Sequence, residues 1–223
     1  MKRIWWKFRL ELQLLWNWNW LLLLVALALL GLTHGVLEFA YNWRKHYIEN
    51  MESFFPIAMA IITTPVFLVD HEDNVLEHEA TSPMRAISHW RLAVLWTTMW
   101  FVVMVVGLGF DAIWGPVDFW AGAYATLGPA VFLSGLAIWT TLLTNRLAVG
   151  YLTVLSLAAA DLILRILGAF QALWGLQLLD LFAFRWNITT LPWPWVKTFM
   201  LITGVLLIEG AILLRPRLLA RGL

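Results

Sequence analysis

The chain contains no cysteine, only four lysines and little charge of either sign, with 15 basic and 14 acidic residues among 223. Without cysteine there is no disulfide scaffold and no thiolate metal site. A net charge of +1 offers no strongly basic face for nucleic acid. None of the lysines (Lys2, Lys7, Lys45 and Lys197) follows a glycine, so the Gly-x-x-x-x-Gly-Lys phosphate cradle is missing and this chain should not hydrolyse ATP by itself. Charged residues make up 13% of the chain, against about 25% in soluble domains. Apolar residues make up 61%, which excludes a disordered chain and is hard to hide in a water-soluble domain of this length. An integral membrane protein is the remaining class.

The placement of the few charges sharpens that reading. No Asp, Glu, Lys or Arg occurs in the 26 residues between Glu11 and Glu38, the 17 between Glu52 and Asp70, the 19 between Arg91 and Asp111, or the 27 between Asp118 and Arg146. A helix needs roughly 20 apolar residues to cross about 30 Å of hydrocarbon. Four spans follow, Trp20–Phe39, Ser53–Val69, Leu92–Phe110 and Phe119–Leu143. Leu147–Leu164, interrupted by Asp161, and Trp195–Leu214, interrupted by Lys197 and Glu209, complete a predicted all-α membrane domain of six spans over residues 20–223. Ile166–Leu191 is broken by Asp180, Arg185 and Asn187, and reads as a re-entrant excursion before the last span.

With a cytoplasmic N-terminus, ten Lys and Arg residues fall inside and five outside. That asymmetry places both termini in the cytoplasm. A five-span count would instead leave Arg215, Arg217 and Arg221 outside. The basic start and the Ala26-Leu27-Ala28 step imitate a signal peptide, but the apolar run continues to Val36 and reads as a retained helix. Before it, Ile4, Trp5, Phe8, Leu12, Leu15 and Trp16 share one helical face, so residues 1–19 read as an amphipathic helix in the cytoplasmic interface; the alternative is a simple extension of the first span. Most of the 16 tryptophans stand near span ends, where an indole buries its ring and keeps its N–H wet. Trp96 and Trp100 fall deeper, on one face of the third span, and either pack against a neighbouring helix or line a cavity.

The most informative polar stretch is the expected cytoplasmic loop 70–91, which opens Asp70-His71-Glu72-Asp73-Asn74-Val75-Leu76-Glu77-His78-Glu79. A metal site is disfavoured, because His71 and His78 do not have the His-Glu-x-x-His spacing that puts two ligands on one helical turn. A short interfacial helix fits better. Val75, Leu76 and Ala80 form its apolar side, Asp73, Glu77 and Glu79 stay wet, and Pro83 ends it by forcing Ser82 toward extended geometry. Such a helix suits contact with a soluble partner.

The run from Glu52 through Leu95 resembles the ABC type-2 permease family, the membrane subunits of ATP-driven exporters. The likeness rests on Glu52 and Pro56 opening the second span, then Glu72-Asp73, Asn74, Leu76-Glu77, Ser82-Pro83 and Arg91. Asn74 stands where that family usually has Gly; Asn also tolerates left-handed backbone. Leu142-Leu143-Thr144-Asn145-Arg146-Leu147-Ala148 is similar to the family's tight cytoplasmic turn between the fourth and fifth spans.

The resemblance implies a permease that moves substrate by alternating access. Its energy would come from a separate ABC ATPase subunit, present in two copies and carrying the ATP and magnesium; this chain would bind no cofactor. A second permease subunit, the same or related, would complete the pore in the cytoplasmic membrane of a prokaryote. The segment Asp73–Ser82 would be the coupling helix, with Asp73, Asn74, Leu76, Glu77, His78, Glu79, Thr81, Ser82 and Pro83 meeting the ATPase. The family exports substrates from drugs to lipids, and the Leu-, Val-, Ala- and Trp-rich spans suit an amphipathic one.

The charged groups within spans carry two readings. Asp161 and Arg165 have the spacing of a pair on one helix face, which is structural, or they touch substrate. Glu209, between one and two turns before Arg215, pairs or snorkels near the cytoplasmic face, or gates. His34 and Glu38, beside the Gly31-x-x-x-Gly35 step, could meet across a dimer interface. An intramembrane enzyme finds no Gly-x-Ser-x-Gly and no histidine pair on one span. A secondary transporter or a membrane assembly scaffold remains the alternative to the permease.

Overall fold

The structure is a computed structural model that describes residues 18–35, 43–67, 84–186 and 190–219, together with Arg9 and Trp16. The expected interfacial helix over residues 1–19 and the coupling segment Asp73–Pro83 lie outside the described residues, apart from Arg9, Trp16, Trp18 and Asn19 in the former. Everything regular among the described residues is helical. The long helices are α1 (Trp20–Gly35), α2 (Trp43–Thr63, continued by a 3₁₀ turn Thr64–Phe67), α3 (Met84–Trp114), α4 (Phe119–Thr144) and α5 (Leu147–Ile166). Short turns follow, α6 (Ala169–Ala172), a 3₁₀ segment Trp174–Leu179 and α7 (Ala183–Trp186), before the long α8 (Trp193–Leu219).

Four of these helices are long and apolar enough to cross a bilayer: Ser88–Ile113, Phe119–Thr144, Leu147–Ile166 and Trp193–Arg215. Their outward faces are apolar at helical steps: Phe101, Met104, Val105 and Leu108 on α3, Leu152, Leu155, Leu162 and Ile163 on α5, Ile202, Val205 and Leu206 on α8. Exposed stripes of this size are stable against lipid and not against water. α4 is the central strut, two-thirds of its apolar window being buried by protein. It packs along α8, α2 and α5.

α2 departs from the expected span. It begins at Trp43 rather than Ser53, and it carries Glu49, Asn50 and Glu52 in buried positions. Its remaining buried surface is apolar on several sides, including Tyr47, Met51, Phe55, Met59 and Ile62. Protein rather than lipid surrounds this helix, so polar side chains survive on it where a partner satisfies them. α3 also starts early, at Met84, so residues 84–91 are helical instead of belonging to the loop.

Local chemistry sets the reversals between helices. Asp118 caps α4, its carboxylate accepting a hydrogen bond from the Ala121 N–H at 3.1 Å. α4 ends at Thr144, and Asn145 adopts φ 52°, a left-handed conformation that Asn tolerates, before α5 starts at Leu147. Glycine then permits close packing of α4 on α8. A Cβ at Gly204 would lie 2.5 Å from the Phe132 backbone nitrogen. The helices alternate in direction. The start of α2, the Gly115–Asp118 turn, the end of α5 and the start of α8 share one end of the bundle; Phe67, Ser88, Asn145 and Arg215 share the other.

Candidate functional site at the two ends of the bundle

Charged side chains inside the bundle form ion pairs and hydrogen bonds near both of its ends. At the first end, Lys197 of α8 reaches Glu52 of α2, with Nζ 2.6 Å from Oε1 and both side chains fully buried. The Glu52 carboxylate also accepts the backbone N–H groups of Phe184 and Arg185, each at 2.9 Å. Arg165 of α5 donates to Asp161 at 3.0 Å and also contacts Asp180. Asp161 Oδ1 accepts the Leu181 N–H at 2.8 Å, Asp180 Oδ1 accepts the Phe182 N–H at 3.1 Å, and Lys197 Nζ donates to the Leu181 carbonyl at 2.6 Å.

These contacts share one target. The chain between Asp180 and Arg185 is a turn leading into the first residues of the one-turn helix α7, so its leading N–H groups have no intrahelical partner. A backbone polar group buried without a partner costs a few kcal/mol. Here three carboxylates and one ammonium take up the N–H groups of Leu181, Phe182, Phe184 and Arg185 and the carbonyl of Leu181. Gln177 extends the pattern, its buried amide donating to the Phe170 carbonyl at 2.9 Å and accepting from Thr190 at 2.9 Å. The charges therefore fold the segment between α5 and α8 onto the end of the bundle.

The second end is built differently. His89 of α3 meets Glu209 of α8, with Nε2 2.9 Å from Oε1 and both side chains about half exposed. One turn or more further along α8, Arg215 is buried, donates to Ser88 Oγ at 3.0 Å and lies over the Phe67 ring at 5.3 Å from its centroid. Glu209 thus pairs with a histidine on another helix, while Arg215, its sequence neighbour, turns to the junctions of α2 and α3.

The expected site residues fall into distinct groups. Asp161 and Arg165 form the i, i+4 pair that their spacing predicts. Glu52 joins them at the same end through Leu181 and Lys197, a link that sequence reasoning missed along with the roles of Lys197 and Asp180. The available signal was that a charge interrupting an apolar span must find a partner. Trp96 and Trp100 are half-buried and pack against the apolar core to which α1, α2, α3, α4 and α8 contribute. A groove of about 490 Å³ does open nearby, but Trp16, Trp18, Trp20, Leu21, Thr98 and Val102 are among the residues that line it. His34 lies on α1, and Glu38 lies outside the described residues. Among the described residues no three His, Asp or Glu side chains gather to hold a metal ion.

Apolar outward stripes, spanning helices and internally satisfied charges define a polytopic helical membrane protein. No family model, curated protein or solved structure matches the chain.

Proposed function

We propose that this chain is the permease subunit of an ABC exporter, moving its substrate by alternating access while a separate ATPase supplies the energy. In this reading α1 and α2 also cross the bilayer, giving six spans with both termini in the cytoplasm of a prokaryote. The segment between α5 and α8 is then a re-entrant excursion on the outer side, and residues 70–83 dock on the ATPase. The observation that supports this most is the position of Glu52. The resemblance singles it out as the acidic opening of the second span, and in the fold it holds Lys197 and the backbone of Phe184 and Arg185. An acidic residue early in α2 thereby gains a physical reason to accompany an excursion before the last helix.

Reconstitution of the tagged chain with the ATPase encoded beside it tests the proposal. A stable complex should form, and substitution of Leu76 and Glu77 should uncouple hydrolysis from transport without unfolding the permease. If no ATPase binds, or if the chain alone transports on a proton gradient, the permease reading is lost to a secondary transporter.

A further inference from the structure

The 3₁₀ turn that continues α2 ends at Phe67 and α3 begins at Met84, and Arg215 lies beside the first of these ends and the first turns of the second. Arg215 is 2% exposed, lies 5.3 Å over the ring of Phe67, the last residue of the 3₁₀ turn, and donates to Ser88 in the first turns of α3 at 3.0 Å. His89, next to Ser88, adds a second tie to α8 through Glu209. α8 itself is one continuous helix from Trp193 to Leu219 and holds the opposite end of the bundle through Lys197.

We infer that Arg215 is a positioning residue that fastens both junctions of the 68–83 connector to the last helix. A displacement applied to the connector then moves α8, and α8 carries it to the segment Asp180–Arg185 through Lys197. The guanidinium suits this role because one flat group can stack on a ring and donate in its own plane at the same time. A lysine in its place keeps the charge and a donor for Ser88 but loses the flat face against Phe67. The fastening stands on the contacts alone; the transmission rests on the permease reading.

Two measurements separate these. Hydrogen exchange on the purified chain tests the fastening. In Arg215→Ala, amides at 61–67 and 86–92 should exchange about tenfold faster, the loss expected for a hydrogen bond to a charged group. Amides at 181–185 should be unchanged, and Arg215→Lys should restore protection at 86–92 more than at 61–67. Unchanged exchange at either junction, or acceleration everywhere, would overturn the inference. For transmission, the absence of native cysteine makes Gly175→Cys a unique labelling position, and a Cβ there meets nothing within 4 Å. In the complex with the ATPase, a fluorophore at position 175 should respond to ATP and vanadate, and Arg215→Ala should abolish that response while still binding the ATPase. An Arg215→Ala complex that responds like the wild type refutes transmission. A wild type that binds no ATPase refutes the permease reading and leaves the exchange result standing.

Discussion

Lys197 Nζ lies 2.6 Å from Glu52 Oε1, and neither side chain has any exposed surface. The two residues belong to helices far apart in the sequence, and each also satisfies backbone of the segment between α5 and α8. The ion pair is therefore a junction of three chain segments.

Removing one partner leaves the other charge buried and unneutralised. Breaking a buried pair in this way costs about 3–5 kcal/mol. Glu52→Gln and Lys197→Met should each lower the thermal unfolding temperature of the detergent-solubilised protein sharply. The double substitution should be less damaging than the sum of the two, because no isolated charge remains. Strict additivity in the double-mutant cycle would show that the two groups are not coupled.

The glycines allow a contrast within one protein. Gly204 abuts the backbone of α4 at Phe132, whereas a Cβ at Gly109 on α3 meets nothing within 4 Å. Gly204→Val must push α8 off α4 and should destabilise by at least the 1–3 kcal/mol typical of overpacking. Gly109→Ala should be neutral or stabilise by about 0.5–1 kcal/mol through helix propensity. Melting of both variants in the same detergent checks the pair, and equal effects would argue against the α4–α8 contact.

Asn145 carries the reversal between α4 and α5 at φ 52°. Glycine reaches that conformation freely, so Asn145→Gly should leave stability nearly unchanged. A β-branched residue there is strained, and Asn145→Val should cost roughly 1–2 kcal/mol. The measurement is chemical or thermal unfolding of the two variants side by side.

This turn was legible in the sequence because its signal is local. Thr144-Asn145-Arg146 ends a long charge-free run with a residue that accepts left-handed backbone. The same holds for α4 and α5, whose bounds differ little from the expected spans Phe119–Leu143 and Leu147–Leu164, since both are long apolar runs bounded by the Asp118 cap and the Asn145–Arg146 turn. α2 was misplaced at its start because protein surrounds it. Glu49 and Glu52 tolerate burial through partners such as His46 and Lys197, so absence of charge stops marking the helix. Asp161 and Arg165 were readable as a pair because the helix repeat brings them together. Glu52 and Lys197 were not, because only the packing of α2 against α8 and the intervening segment makes them neighbours.

The proposed orientation of the bundle rests on charge placement and can be checked directly. In the proposed six-span topology ten of the 15 Lys and Arg residues belong to cytoplasmic segments. Thr144, at the end of α4, is exposed on that side, whereas Gly175 lies between α5 and α8 at the opposite end. In intact cells a membrane-impermeant maleimide should label Gly175→Cys and spare Thr144→Cys, and permeabilisation should expose both. The parent chain supplies no background, because it has no cysteine. Labelling of Thr144→Cys from outside would invert the bundle. It would place residues 70–83 beyond reach of any cytoplasmic ATPase and remove the permease reading together with the topology.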